Sequence, residues 1–457
     1  MKNQLLTLLL CLPLLGMAQN GIYEFGPIQN DAQAHSVKQT ADGGYVSTGW
    51  FGYGGWDDPY GAIVKTNAQV DSVWGEMLTP LNQRSKGHEV IETTNGDFVV
   101  TGNRSYNGNS DFYLTRRDAN GVLLWEELYG GNEKEVAYSV VQTTDGGFVM
   151  VGETSSYGNG NEDVWLVKTD ANGVKLWDKT FGDTLGDIGY AVKQTADGGL
   201  IIAGSSFVPF PNPIDGSIPP QSYLIKTDVN GNTQWEKTYF GHYPAPGSIY
   251  NYAKDNYATD VQQTADGGYI LTGSFQNRDS NSYTHNNMML FKTDANGDSL
   301  WHKNFLDSLA SNSTGSKYAG GNSVKQTADG GYIIVGWSLV SPSHRFFYVR
   351  TDANGNIIWE KLMYNRGELT DVQLTNDGGY IMAGYYEVSG QWDDKYILMQ
   401  VDDSGNVTST TTIPLSTEKG KLKKITNFLG QETKPTKNTP LLYQYENGTV
   451  EKKIIIE

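Results

Sequence analysis

Two pairs of neighbouring acids stand beside a tryptophan, at Trp56-Asp57-Asp58 and Trp392-Asp393-Asp394. Two carboxyls about 5–9 Å apart can share acid and nucleophile or base roles at a glycosidic bond. A structural reading competes and is stronger. Asp111 and Glu162-Asp163 occupy the same place in other copies of one repeated unit, so Asp-x-aromatic opens a strand there, as a repeated cap would. A second set of candidates lies in long inserts at 205–221, 240–257, 274–287 and 306–320, rich in Tyr, Asn, Ser, Pro and His. Tyr243, Tyr250, Tyr252, Tyr257 and Tyr283 belong to it. Aromatic and amide side chains suit sugar rings and protein partners alike, and an inert, decorated surface fits the same composition. We therefore take Trp56, Asp57, Asp58, Trp392, Asp393 and these tyrosines as candidate ligand-binding residues, with no catalytic residue assigned.

Other chemistries find no support. The six histidines show no metal-ligand spacing. Asp-x-Asn-Gly turns lack the remaining ligands of a calcium loop. Neither a phosphate-binding Gly-Lys-Ser/Thr loop nor a Gly-x-Ser-x-Gly nucleophile turn is present. No metal and no cofactor is expected. The formal charge of -17 repels nucleic acid and anionic lipid. We expect a monomer.

The elements that must position the candidates come from one motif, clearest at 136–182. A run ending at Asp145-Gly146-Gly147 reads as a strand and a tight turn, because Asp-Gly between apolar runs favours the positive φ of a hairpin. The apolar run 148–152 suits a strand buried on both faces. A third run leads into Asp170-Ala171-Asn172-Gly173, a second turn, and a fourth carries Trp177 and mixes apolar with charged residues, like an outer strand. The unit is thus four antiparallel strands, and no stretch has a sustained helical period. The first turn recurs at Asp42, Asn95, Asp145, Asp197, Asp266, Asp329 and Asp377. A period near 50 with four strands per copy is the pattern of an all-β, seven-bladed β-propeller. Trp74, Trp125, Trp177, Trp235, Trp301 and Trp359 recur at one point of the unit and are expected to be buried between blades. The two uniform turns fall on one face of the ring, so the variable loops, where a ligand would bind, fall on the other.

The run Asp-Ala-Asn-Gly-x-x-x-Trp resembles the tryptophan-docking turn of quinoprotein-type propellers, though one residue shorter; it implies blade packing and no quinone. The whole unit, Gln-Thr-x-Asp-Gly-Gly-Tyr…Lys-Thr-Asp-x-Asn-Gly-x-x-x-Trp, more closely resembles repeat proteins exported by Bacteroidota.

The ends complete the plan. Residues 1–18 read as a secretory signal peptide with a small-residue cleavage pattern, too short in its apolar core to span a membrane. They hold the single Cys, Cys11. Residues 19–412 are the propeller. Residues 22–26 align with the tail of a fourth strand, and the last unit has Ser409 where Trp is expected. An N-terminal strand completing the last blade would remove two open edges; closure by 407–413 alone is the alternative. Residues 413–457 change composition; from 414 on they hold eight lysines against five glutamates, and Asn447-Gly448 signals a hairpin. This segment, with Leu422-Lys423-Lys424-Ile425 and Leu441-Leu442-Tyr443…Asn447-Gly448, is similar to a short type IX secretion C-terminal sorting domain. That resemblance implies the type IX machinery as partner and a secreted or cell-surface location. Two functions stand: a non-catalytic surface propeller that binds a glycan or protein, and a glycan-degrading enzyme with its acids on the variable face.

Overall fold

The computed structural model describes residues 31–412 apart from 53–58, 80–82, 107, 208–219, 240–255, 279–283, 307–316, 341–342 and 388–393, and also 422–426, 433–434, 440–445 and 450–454. Every regular element among them is a strand. The strands β1 (Ala32–Gln39), β2 (Tyr45–Gly52), β3 (Pro59–Thr66) and β4 (Ser72–Met77) pair antiparallel in that order. The same plan recurs in β5 (Arg84–Glu92), β6 (Phe98–Tyr106), β7 (Asn109–Arg117) and β8 (Leu123–Tyr129). It recurs again in β9 (Glu135–Gln142), β10 (Phe148–Thr154), β11 (Asp163–Thr169) and β12 (Lys175–Phe181), and in β13 (Asp187–Gln194), β14 (Leu200–Phe207), β15 (Pro220–Thr227) and β16 (Thr233–Tyr239).

The rest of the ring is one large sheet. It holds β17 (Tyr257–Gln263), β18 (Tyr269–Arg278), β19 (Thr284–Thr293), β20 (Ser299–Phe305), β21 (Lys317–Gln326), β22 (Tyr332–Val340), β23 (Ser343–Thr351), β24 (Ile357–Leu374), β25 (Tyr380–Glu387), β26 (Asp394–Val401) and β27 (Val407–Thr412). Two features merge its groups: a short parallel bridge from β19 to β21, and β24, whose first half pairs β23 and second half β25.

The turns explain the hairpins, with one correction. Thr40 N donates to Gly44 O and Gly43 N to Thr40 O, and only the glycine takes positive φ, +84° at Gly43. The aspartate does not, so this is a five-residue connection with a glycine at its end and not a two-residue primed turn. The second glycine serves another need: a Cβ on Gly44 would lie 2.2 Å from Thr66 O. The Asp42 carboxylate binds Gly44 N and Lys65 Nζ, both at 3.0 Å. Thr40 and Lys65 together hold it at about 2, well below the usual carboxylate range. Lys168–Asp145, Lys226–Asp197, Lys292–Asp266 and Arg350–Asp329 repeat the pair.

The tryptophans are docked but not buried as expected. Each is half-buried, because the outermost strand leaves one side to solvent. Each presses on the second-turn glycine of the following unit. A Cβ there would meet the indole at 3.0 Å for Gly121 on Trp74, 2.9 Å for Gly173 on Trp125 and 2.7 Å for Gly231 on Trp177; Trp235, Trp301 and Trp359 do likewise.

The first unit packs on the last. Ala34, Val37 and Val64 share a core with Ile381, Ala383 and Leu398. Gln39 Oε1 accepts from Asn376 N at 2.8 Å, and Thr370 Oγ1 donates to Ala34 O at 2.8 Å. A chain of such units closed on itself is a β-propeller, which leaves no large open edge at the junction. β27 pairs with β26 as the fourth strand of the last unit; residues 22–26, expected to complete that unit, lie outside the described residues. This seam departs from the repeat in two matched ways. Ser409 replaces the tryptophan, and Val70 stands where other units have the turn glycine. Val70 keeps the positive φ, 67°, and its fully buried side chain joins the seam core. The tail forms a separate antiparallel sheet of β28 (Leu422–Thr426), β29 (Pro440–Tyr445) and β30 (Val450–Ile454). Its expected Asn447-Gly448 turn lies outside the described residues.

Candidate binding site at the ring axis

The innermost strand of each unit faces the axis, and each carries the same irregularity. The pairing register slips by one residue at His35, His88, Tyr138, Tyr190, Thr259, Asn322 and Thr370. A bulge adds one residue and re-aims its side chain. These seven side chains all line a central cavity.

Below them a belt of hydrogen bonds runs between units. It uses the next residue of each strand and the backbone of the buried valine after it. Asp371 Oδ2 accepts from Val37 N at 3.0 Å. Ser36 Oγ faces Val90 N at 3.4 Å, Glu89 Oε2 accepts from Val140 N at 2.9 Å, and Ser139 Oγ from Val192 N at 3.1 Å. Asp260 Oδ2 accepts from Val324 N at 3.0 Å. Ala191 has no acceptor to offer, and Val261 N and Val372 N turn to Asp260 Oδ1 and Asp371 Oδ1 of their own units. Buried backbone donors need partners, and for the other five valines the belt supplies them from neighbouring units.

The belt carboxylates have counter-ions. Lys193 Nζ lies 2.9 Å from Glu89 Oε1 and Lys325 Nζ 2.8 Å from Asp260 Oδ2. Burial opposes ionisation, yet Lys325 and Lys193 bring Asp260 down to about 2. Glu89 is lowered too, by Lys193 and Lys38 against its burial. Asp260 and Glu89 are thus held as carboxylates bonded to the scaffold.

The side of the axis away from the uniform turns opens into a cavity of about 380 Å³. His35, His88 and Tyr138 line one wall. The rings of His35 and His88 stack at 5.0 Å, and His88–Tyr138, Tyr138–Tyr190 and Tyr190–Tyr257 continue the arc at 5.3, 5.4 and 6.3 Å. Gln33, Asn322, Thr370, Glu368 and Tyr385 complete the lining. Burial and then Lys86 bring His35 down to about 4, and the same burial with His35 and Lys86 lowers His88. Both imidazoles are neutral at pH 7.

One further acid stands apart. Asp394 is 5 % exposed at the seam, where Gln33 Nε2 donates to its Oδ2 at 2.6 Å. Burial, then Asp31, Glu387 and Glu368, push its carboxyl up to about 7 despite that bond.

Of the candidate ligand-binding residues, the structure describes Tyr257, at the end of the aromatic arc. Trp56, Asp57, Asp58, Tyr243, Tyr250, Tyr252, Tyr283, Trp392 and Asp393 lie outside the described residues. The capping role expected of the strand-opening acids is seen at Asp163, whose Oδ2 accepts from Asn159 N and Gly160 N at 3.0 and 2.8 Å. Sequence reasoning missed the axial residues. Their signal was positional: His35 and His88 are 53 residues apart, the same interval as Asp42 and Asn95, so they occupy equivalent places and stack.

Among the described residues no cluster of three or more His, Cys, Asp or Glu could hold a metal, and no helix is long and apolar enough to cross a membrane. No family model and no curated protein matches the chain. Solved structures share the outline. A protein of unknown function from Bacteroides caccae is 9% identical, TM-score 0.35, over 60% of this chain and 82% of that one. The Neurospora crassa Pan2 WD40 domain is 8% identical, TM-score 0.44, over 76% and 85%. Chaetomium thermophilum Sqt1, bound to the N-terminus of ribosomal protein L10, is 12% identical, TM-score 0.46, over 90% and 94%. Likeness at this level says nothing of function.

Proposed function

We propose that the chain is a non-catalytic, seven-bladed binding propeller that recognises a glycan or protein through its variable-loop face. The large sheet is then three blades: β17–β20, β21–β23 with the first half of β24, and the second half of β24 with β25–β27. One observation carries the binding reading. Asp260 and Glu89 are built into the belt, while the mouth above them is open and lined by the rings of His35, His88 and Tyr138, and the one carboxylate of its described lining, Glu368, is engaged by His344. Such a surface can grip a ligand through its rings and hydrogen-bond acceptors.

The signal-like residues 1–18 and the basic tail support export to the cell surface or medium by type IX secretion. The ring folds first, and the small separate sheet β28–β30 is the part a secretion receptor would grasp. Deleting 421–457 in the native host should leave folded protein in the periplasm; unchanged appearance at the surface would make the tail plain structure.

A hydrolase with its acids on this face is the second reading, favoured only by Asp394, whose carboxyl is held near 7 as a general acid's would be. Its burial and its bond to Gln33 oppose that role. Incubating the full chain with a glycan array and analysing the supernatant separates the two. Retention without released sugar supports binding; released sugar that stops in Asp394→Asn supports the enzyme.

A further inference from the structure

The mouth of the axis has a chemical bias. His35 Nδ1 faces Gly87 O at 2.9 Å, so that nitrogen carries the proton and Nε2 is a bare acceptor. His88 Nε2 faces Asn103 Oδ1 at 3.2 Å, while Asn103 Nδ2 donates to Ser110 Oγ. The proton of His88 is therefore on Nε2 and its Nδ1 is the acceptor. Among the described residues neither acceptor nitrogen has a hydrogen-bond partner. Elsewhere on the lining Asn322 Nδ2 donates to Leu369 O at 2.7 Å, and Thr370 Oγ1, beside His35, to Ala34 O at 2.8 Å. Both residues keep acceptor capacity. The wall offers acceptors and asks for donors.

Those donors are neutral. The field at the histidines already disfavours positive charge, because Lys86 bears on both and sits 4.7 Å over Trp50 beside them. An ammonium ligand would meet the same field on that side, and the one carboxylate of the described lining, Glu368, is already engaged by His344. An anion would bring acceptors to a wall of acceptors, on a protein of net charge -17. Hydroxyl groups are the donors that remain. Size selects further. The mouth cavity of about 380 Å³ falls in the range of small-ligand sites, roughly 300–1,000 Å³. Nearer the belt the space is about 100 Å³, so a chain does not thread it.

We propose that the axial mouth binds the terminal ring of a neutral glycan, whose adjacent hydroxyls donate to His35 Nε2 and His88 Nδ1 while Asn322 and Thr370 offer it further acceptors. Tyr138, packed edge-on against His88, supplies apolar contact. The assignment rests on the glycan form of the function proposed above. It adds the site, the end-on mode and the absence of charge.

The test is calorimetric titration of the full chain with neutral oligosaccharides and with their sialylated, sulfated and uronic counterparts. The variants are His88→Phe, His35→Phe/His88→Phe, and His88→Gln, whose amide oxygen restores an acceptor. Thermal melts check that each is folded. The expected result is binding of neutral glycans, little changed by salt. Affinity should fall at least tenfold in His88→Phe, further in the double variant, and recover in part in His88→Gln. It should stay level from pH 8 to about 5.5 and fall as His35 protonates near 4. Neutral-glycan binding indifferent to the folded variants overturns the axial site and leaves the variable-face reading standing. Selective binding of charged glycans, or of a protein alone, overturns the neutral-sugar assignment in the same way. No binding of any glycan overturns this proposal and the glycan form of the function together.

Discussion

Asp394 should make the seam sensitive to pH. Its carboxyl sits at the junction of the first and last units, 5 % exposed, and is pushed up from 3.8 to about 7. At 1.36 kcal/mol per pH unit this gap amounts to about 4 kcal/mol. The folded value is raised above the unfolded one. The contribution is thus fully present below about pH 4, is lost as pH rises through 7, and is absent above it. Above pH 7 the fold must carry a buried charge facing Asp31, Glu387 and Glu368. In Asp394→Asn the amide oxygen still accepts from Gln33 and cannot ionise. Urea melts of the full chain, wild type and variant, from pH 4 to 8.5 check this. The two should agree near pH 4, and the variant should be the more stable by up to about 4 kcal/mol at pH 8.5. Parallel curves across that range would refute the reasoning.

Three further outcomes follow from the repeat. Gly146→Ala meets open space at φ +84° and should cost about 1 kcal/mol; Gly173→Ala has the same φ but strikes Trp125 at 2.9 Å, so its loss in a denaturant melt should be about 1–3 kcal/mol larger. Trp177→Ala should cost about 2 kcal/mol, below the roughly 3–5 of a fully buried aromatic, because the indole is half-buried; a loss within error of zero would reject docking. Lys325→Met leaves Asp260 buried without its 2.8 Å partner and should cost about 3–5 kcal/mol at neutral pH, read from the same melts.

What could be read from the chain was what repeats locally. Asp145-Gly146-Gly147 and Asp170-Ala171-Asn172-Gly173 marked hairpins because a glycine at positive φ is needed at one fixed place. Four strands per unit and the docking tryptophans followed. Pairings across a unit were hidden. Lys168 and Asp145 are 23 residues apart, and nothing in either hairpin alone points to the other. Half-burial of the tryptophans depends on which strand ends up outermost. The axial site was hidden for a different reason. A bulge leaves no mark in composition, and His35, His88, Tyr138 and Tyr190 are of mixed type at one repeat position. A search for close histidine spacing passes over residues brought together by the ring. The seam shows the reverse case, where a visible departure, Ser409 for tryptophan, has its complement in the buried Val70 of the unit across the junction.

A crystal structure of the full chain with a neutral oligosaccharide tests the central claim most directly. The account predicts seven blades, an unbroken glycosidic chain, and its terminal ring at the axial mouth against His35, His88, Asn322 and Thr370. A ligand on the uniform-turn face, or a cleaved chain beside Asp394, would contradict it.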